Sequence, residues 1–382
     1  MAADGEKPAQ GAKLWHKLAV AVAVLGVSLA VVGKAKPELF LQLPSMGFVL
    51  YAVLGGKHVP PYFDNAPFSS ENFRKWARDG DVIVATGAKC GTTWLCYCSH
   101  AVRTKGADSP NGFEDIMYST PWMEFIQTPG ETFEERLHLY NTTVLPSGKK
   151  LRDYWDHPSY PFRIFKSHYT PDSFSGGDPF QNVLPVRKHE KVKYIVASRN
   201  GKEVARSMHS FFQDVTPEFR TTWGGFPLLY DSAESLASDL LPGGVLYSLY
   251  FAHVNAWWPL RRDPNVLLLH YADMTRDGRA LVAKLADFLG VSLTEEERGK
   301  VEKMCSMAHM KEHGSYFDYK QPLRADGQAV FFPQSFIKSG GKSGKASEAK
   351  FSPEFQKKWD TAVRSEFPDP EQREWAANGG GF

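Results

Sequence analysis

Residues 81–103, DVIVATGAKCGTTWLCYCSHAVR, constrain the chain more than any other stretch. Residues 81–86 are a short apolar run rich in β-branched side chains, the pattern of a buried strand. Gly87-Ala88-Lys89-Cys90-Gly91 follows as a turn, with two glycines free to take positive φ. Thr92–Arg103 then reads as a helix. A strand, a tight turn and a helix N-terminus make an anion site. Unpaired backbone N–H groups point into the turn, and the helix dipole adds a partial positive charge. Lys89 adds a full one. This is not a Walker A loop, which needs Gly-Lys-[Ser/Thr] after a four-residue spacer; here the lysine precedes the second glycine. Taken alone, Lys-x-Gly-Thr-Thr also fits a plain surface turn.

The alternation of strand and helix continues downstream. Residues 162–166 (FRIFK) predict a second strand, ending in Ser167-His168. Residues 192–198 (VKYIVAS) predict a third, stopped by Arg199-Asn200-Gly201, with a helix through Phe212. Residues 246–258 read as a helix and Val266–His270 as an apolar strand. Gly278–Leu289 is an amphipathic helix with Gly290 as its stop, and residues 294–307 form another, with Thr294 and Glu297 placed for a capping box. Residues 72–78 predict a short helix before the first strand. Short apolar strands alternating with helices imply an α/β fold, a central parallel sheet with helices on both faces. Ligands bind such sheets beyond the strand C-termini. Lys89, His168 and Arg199 each follow a strand, so they should converge on one edge. Trp122, Phe125, Phe133, Tyr140, Tyr154 and Trp155 fit either a substrate wall or core packing.

The net charge of the 382 residues is only +2, so no global field draws the chain to nucleic acid and any anion site must be a local cluster. The four cysteines, Cys90, Cys96, Cys98 and Cys305, include no Cys-x-x-Cys pair, and no obvious metal cluster appears. They read as reduced, buried thiols of a reducing compartment. Residues 1–17 are a polar tail, 18–56 carry hydrophobic segments, 57–67 are a Pro-rich linker, and 68–378 hold the catalytic domain. Residues 18–33 (LAVAVAVLGVSLAVVG) are uncharged and about one turn short of the roughly 20 residues that span a bilayer. They fit a membrane anchor with the domain in the cytosol, a cleaved targeting segment, or a soluble appendage. The second apolar stretch, 39–56, is broken by Pro44 and Gly47. Asn141-Thr142-Thr143 is a glycosylation sequon that matters only if the domain is luminal. Residues 339–350 (SGGKSGKASEAK) read as a mobile loop.

The 81–103 stretch resembles the 5′-phosphosulfate loop of the soluble sulfotransferases, Tyr-Pro-Lys-Ser-Gly-Thr-Thr-Trp. Lys89, Gly91, Thr92, Thr93 and Trp94 match; Gly87-Ala88 replaces the aromatic-proline pair and Cys90 the serine. Residues 163–168 (RIFKSH) are similar to the family's strand ending Lys-Thr-His, and residues 193–212, with Arg199 and Ser207, to its 3′-phosphate segment. Tyr271-x-Asp273-Met274 fits the next strand and helix, and residues 336–344 stand where the family has Arg-Lys-Gly-x-x-Gly. The resemblance spans roughly residues 81–360, as ordered motifs at compatible spacing.

The resemblance implies a three-layer P-loop-like domain that moves a sulfuryl group from 3′-phosphoadenosine 5′-phosphosulfate (PAPS) to a hydroxyl or amine of a small acceptor such as a sterol or phenol, without a metal. It implies His168 as base, Lys89 and Lys166 as catalytic cations, and Lys89, Cys90, Gly91, Thr92 and Thr93 around the 5′-phosphate. Trp94 would stack on the adenine. Arg199 and Ser207 would hold the 3′-phosphate together with Lys338, Ser339 and Gly340. Lys338-Ser339-Gly340 lacks the fixed guanidinium fork of Arg-Lys-Gly. The family's dimer motif is not recognisable, which leaves the oligomeric state open. The competing readings are a P-loop nucleotide kinase, opposed by the missing Gly-Lys-[Ser/Thr] and magnesium aspartate, and a non-catalytic nucleotide-binding membrane protein.

Overall fold

The computed structural model describes residues 26–28, 31–43, 47–55, 60–324, 329–333, 337 and 351–381. They fall into two compact units, one drawn from Met1–Tyr62 with Arg220–Pro227, the other from Phe63–Phe219 with Leu228–Phe382.

In the smaller unit, the second apolar stretch forms a 3-10 helix, Pro37–Gln42, and an α-helix, Gly47–Gly55. The Phe48 amide donates to the Gly224 carbonyl at 3.2 Å, and the rings of Phe48 and Phe226 lie 5.5 Å apart. Most of residues 18–33 lies outside the described residues. Among those described, no helix is long and apolar enough to cross a membrane.

The larger unit is organised by a four-stranded parallel sheet in the order β2-β1-β5-β6, made of β1 (Val82–Ala85), β2 (Ile164–Ser167), β5 (Lys193–Ser198) and β6 (Val266–His270). A two-stranded pair, β3 (Thr170–Pro171) and β4 (Asn182–Leu184), lies beyond β2 in sequence. Every residue of β1 and β2 is buried, as covering on both sheet faces requires. Burying each Val or Ile contributes on the order of 1.5–3 kcal/mol. The expected α/β class and parallel sheet stand. A buried ion pair fixes the β1–β2 register at its start: Arg163 Nε donates to Asp81 Oδ1 at 2.8 Å.

Helix α1 (Thr92–Arg103) begins at the predicted residue, with Gly91 as its N-cap in the left-handed region. Helix α2 (Gly201–Gln213) is capped by the Asn200 side chain, which accepts from the Lys202 amide. Gly278–Leu289 ends at Gly290, φ 74°, as expected. The Thr294–Glu297 capping box forms in full.

Other expectations need correction. The predicted 246–258 helix is two elements, a 3-10 turn Tyr247–Leu249 and a helix Phe251–Trp257, because Tyr250 leaves helical space at φ −133°, ψ −75°. The predicted 72–78 helix is Ser70–Trp76, started earlier by the Ser69 hydroxyl accepting from the Asn72 amide. The second strand sits two residues later than predicted at its start, beginning at Ile164. The region after α1 is less loop-like than its composition suggests; Phe133–Thr142 is a helix with a complete Thr132–Glu135 capping box. Phe133, Tyr140, Tyr154 and Trp155 are core residues. All four cysteines are free and buried, as expected.

Candidate active site

The turn between β1 and α1 closes on itself. The Gly87 amide donates to Ala197 on β5 at 3.0 Å, and the Cys90 amide returns to the Gly87 carbonyl at 3.2 Å. Lys89 takes φ 62° and Gly91 φ 97°, two successive departures from ordinary backbone separated only by Cys90. Glycine is needed at 91: a Cβ there would meet Tyr271 Cδ2 at 3.2 Å and Met274 Cε at 3.3 Å. The Tyr271-x-Asp273-Met274 segment is thus brought against the turn. Cys90 is buried, its thiol pushed up to about 12 by burial, so it stays neutral. The Thr92 hydroxyl reaches back to that of Thr86, and the Thr93 hydroxyl meets the Tyr319 phenol, both at 2.5 Å.

Three basic groups meet beyond the strand ends. Lys166, the third residue of β2, is buried; its Nζ lies 3.4 Å from the centroid of the Trp122 ring and donates to the Tyr319 hydroxyl at 3.2 Å. Burial lowers its pKa to about 7. Lys89 Nζ sits 3.7 Å from the Phe211 ring centroid, and its pKa is likewise about 7, held down by burial and then by the charges of Arg199 and Lys166. His168 has its imidazole edge against Trp122, with ring centroids 5.2 Å apart. Its main-chain N–H donates to Glu124 Oε1 at 2.8 Å, and Nδ1 lies 2.9 Å from the Thr86 carbonyl oxygen. A carbonyl only accepts, so Nδ1 carries the proton and Nε2 carries the lone pair. Burial, with the charge of Lys166 next, holds the imidazole well below its usual pKa. His168 is therefore neutral at physiological pH.

Arg199 lies on the other side of β1. Its Nε donates to Glu203 at 3.0 Å and its guanidinium covers the Tyr271 ring at 4.3 Å. Ser207 is half-buried on α2. Trp94 is half-buried; its indole N–H donates to the Cys305 carbonyl at 2.7 Å and its ring meets Tyr271 edge-on at 6.0 Å. Lys338, Ser339 and Gly340, with the tract 339–350, lie outside the described residues.

The sulfotransferase domain family model matches residues 79–369 of this chain. The chain belongs to the sulfotransferase family. It is a PAPS-dependent sulfotransferase, and the kinase and non-catalytic readings are not favoured. The sulfotransferase is 27% identical to mouse sulfotransferase 1A1 over 254 residues, 66% of this chain and 73% of that one. It is 29% identical to human sulfotransferase 1E1 over 267 residues, 70% and 76% of the two chains. Its fold is similar to that of mouse SULT7A1, solved in complex with PAP (TM-score 0.54, 19% identity, covering 78% and 88%). It is also similar to retinol dehydratase in complex with androsterone and inactive cofactor PAP (TM-score 0.53, 21% identity, covering 80% and 84%).

The sulfotransferase brings Lys89, Lys166, His168, Thr92, Thr93 and Arg199 to the C-terminal edge of one sheet. Sequence reasoning missed Tyr319, whose hydroxyl meets both Thr93 and Lys166 from 226 residues beyond the former. Its positive φ of 57° has no signal in a tyrosine. Glu124 was missed as well; burial raises its carboxyl to about 7 beside the His168 amide. Its place in an aromatic stretch, between Trp122 and Phe125, was the available hint.

Proposed function

We propose that His168, Lys89 and Lys166 carry the sulfuryl transfer and that Arg199, Ser207 and the segment Lys338-Ser339-Gly340 hold the 3′-phosphate. The acceptor is a small lipophilic alcohol or phenol, a class suggested by the androsterone and retinol bound by retinol dehydratase. The observation that carries the reading is the 2.9 Å contact of His168 Nδ1 with the Thr86 carbonyl at the start of the turn, which leaves Nε2 as the proton acceptor. Its Nε2 takes the acceptor's hydroxyl proton as the acceptor oxygen bonds to sulfur and the bond from sulfur to the phosphate oxygen breaks. Lys89 and Lys166 neutralise charge on the leaving phosphate and the sulfuryl oxygens. A polyanion fits here: burial holds both lysines down, and the charges of Arg199 and Lys166 lower Lys89 further. The Gly91 amide, with Thr92 and Thr93, cradles the 5′-phosphate in a turn that Cys90 closes, and Trp94 offers its ring to adenine.

The test is calorimetry with adenosine 3′,5′-bisphosphate (PAP) and AMP, followed by a sulfate-transfer screen of sterols, phenols, retinoids and sugars. The reading expects PAP to bind well and AMP poorly; equal affinities would refute the 3′-phosphate assignment. Residues 18–33 are further proposed to tether the enzyme to a membrane surface, on the strength of their uncharged run. Full-length protein should then pellet with membranes and a 34–382 truncation should not.

A further inference from the structure

Away from the transfer site, the sequence His309-Met-Lys-Glu312-His313 builds a second constellation. The short helix Met307–Glu312 carries His309 and Glu312, and His313 is its C-cap. The spacing i, i+3, i+4 puts the three side chains on one helical face. A ring nitrogen from each histidine and a carboxylate oxygen of Glu312 all lie within 4.8 Å of one another. The imidazole rings are 4.1 Å apart and tilted by 31°. Each histidine already has one nitrogen engaged by the protein. His313 Nδ1 lies 3.0 Å from the His309 carbonyl oxygen, so Nδ1 carries the proton and Nε2 is unprotonated. His309 Nε2 lies 3.0 Å from the Tyr97 hydroxyl on α1. Such outer contacts orient metal-ligating imidazoles, leaving the other nitrogen for the ion.

We propose that His309, Glu312 and His313 form a binding site for a divalent transition-metal ion of the zinc class, separate from the sulfuryl-transfer site. Two imidazoles and one carboxylate are a donor set zinc accepts, with a fourth position open to water. A tetrahedral ion with ligands at about 2.0–2.1 Å places donors about 3.3 Å apart, so the three donors, already within 4.8 Å of one another, would draw together around it. The site would clamp residues 307–313 to α1 through Tyr97, so the ion should stabilise the fold rather than take part in transfer.

The experiment is titration of the full chain with zinc chloride by calorimetry, and with cobalt(II) by visible absorption, followed by thermal melting with zinc and with EDTA. One equivalent should bind wild type. His313→Gln should weaken binding on the order of tenfold or more, and the double variant His309→Gln/His313→Gln should abolish both it and the zinc-induced rise in melting temperature. Equal melting temperatures of the variants and wild type in EDTA verify folding. His168→Ala should bind zinc like wild type. Absence of binding to wild type at millimolar zinc, or undiminished binding in the double variant, would overturn the proposal. So would loss of zinc from His168→Ala.

Discussion

Lys166 and Arg199 leave strands on opposite sides of β1, yet their surroundings differ. Lys166 is buried against the face of Trp122 and a neutral phenol, and its ammonium has lost water. Arg199 is paired with Glu203 at 3.0 Å and stacked on Tyr271. The charge at the transfer centre is costly until an anion arrives. The charge of Arg199, proposed to hold the 3′-phosphate, is already neutralised and would exchange one carboxylate for a phosphate. On the proposed assignment the transfer centre is preorganised for an incoming anion, whereas the side proposed to hold the 3′-phosphate is arranged for binding that swaps partners.

The largest effect should come from the transfer side. His168→Ala is expected to lower kcat by roughly 10²–10⁴-fold, the usual contribution of a positioned base. PAP affinity should be unchanged, because the base acts on the acceptor. A loss below about tenfold, or a parallel loss of PAP binding, would erase the distinction between the two sides. Next comes Lys338→Ala, which should leave kcat at saturating PAPS near wild type but weaken PAP roughly ten- to a hundredfold, as a charge-assisted bond of about 1.5–3 kcal/mol implies. Lys338→Arg should hold or tighten binding. The smallest effect has the opposite sign. Glu203→Gln frees Arg199 from a partly exposed ion pair of about 0.2–1 kcal/mol, so PAP should bind more tightly by up to about fivefold. Weaker binding in that variant would mean Glu203 holds Arg199 in place for the phosphate.

The two sides also differed in how far the sequence revealed them. Lys89, Gly91 and Thr92 were legible because a strand, two glycines and a helix start are adjacent in the chain. His168 and Arg199 were legible as the residues that end apolar strands. Tyr319 was not, because its role comes from tertiary approach to Thr93 and Lys166 and from a backbone conformation its residue type does not announce. The break at Tyr250 was hidden inside a continuous apolar, aromatic run whose local pattern favours helix. The pairing of Arg163 with Asp81, 82 residues apart in the chain, was equally invisible. His309, Glu312 and His313 had a readable spacing, but without a cysteine pair nothing drew the eye to it.

The central claim is that the transfer centre holds desolvated lysines awaiting an anion. With free-enzyme pKa values of about 7, Lys89 and Lys166 are mostly neutral at pH 8. A bound phosphate favours the charged form and raises the pKa. The complex then holds more protons than the free protein, and affinity must fall as pH rises above 7 towards the bound-state pKa. The direct measurement is PAP calorimetry at pH 8 in buffers of different ionisation enthalpy. The account predicts uptake of between about one and two protons per nucleotide, reduced in Lys89→Arg, whose guanidinium stays charged. A binding enthalpy independent of the buffer, with affinity flat from pH 7 to 9, would contradict it.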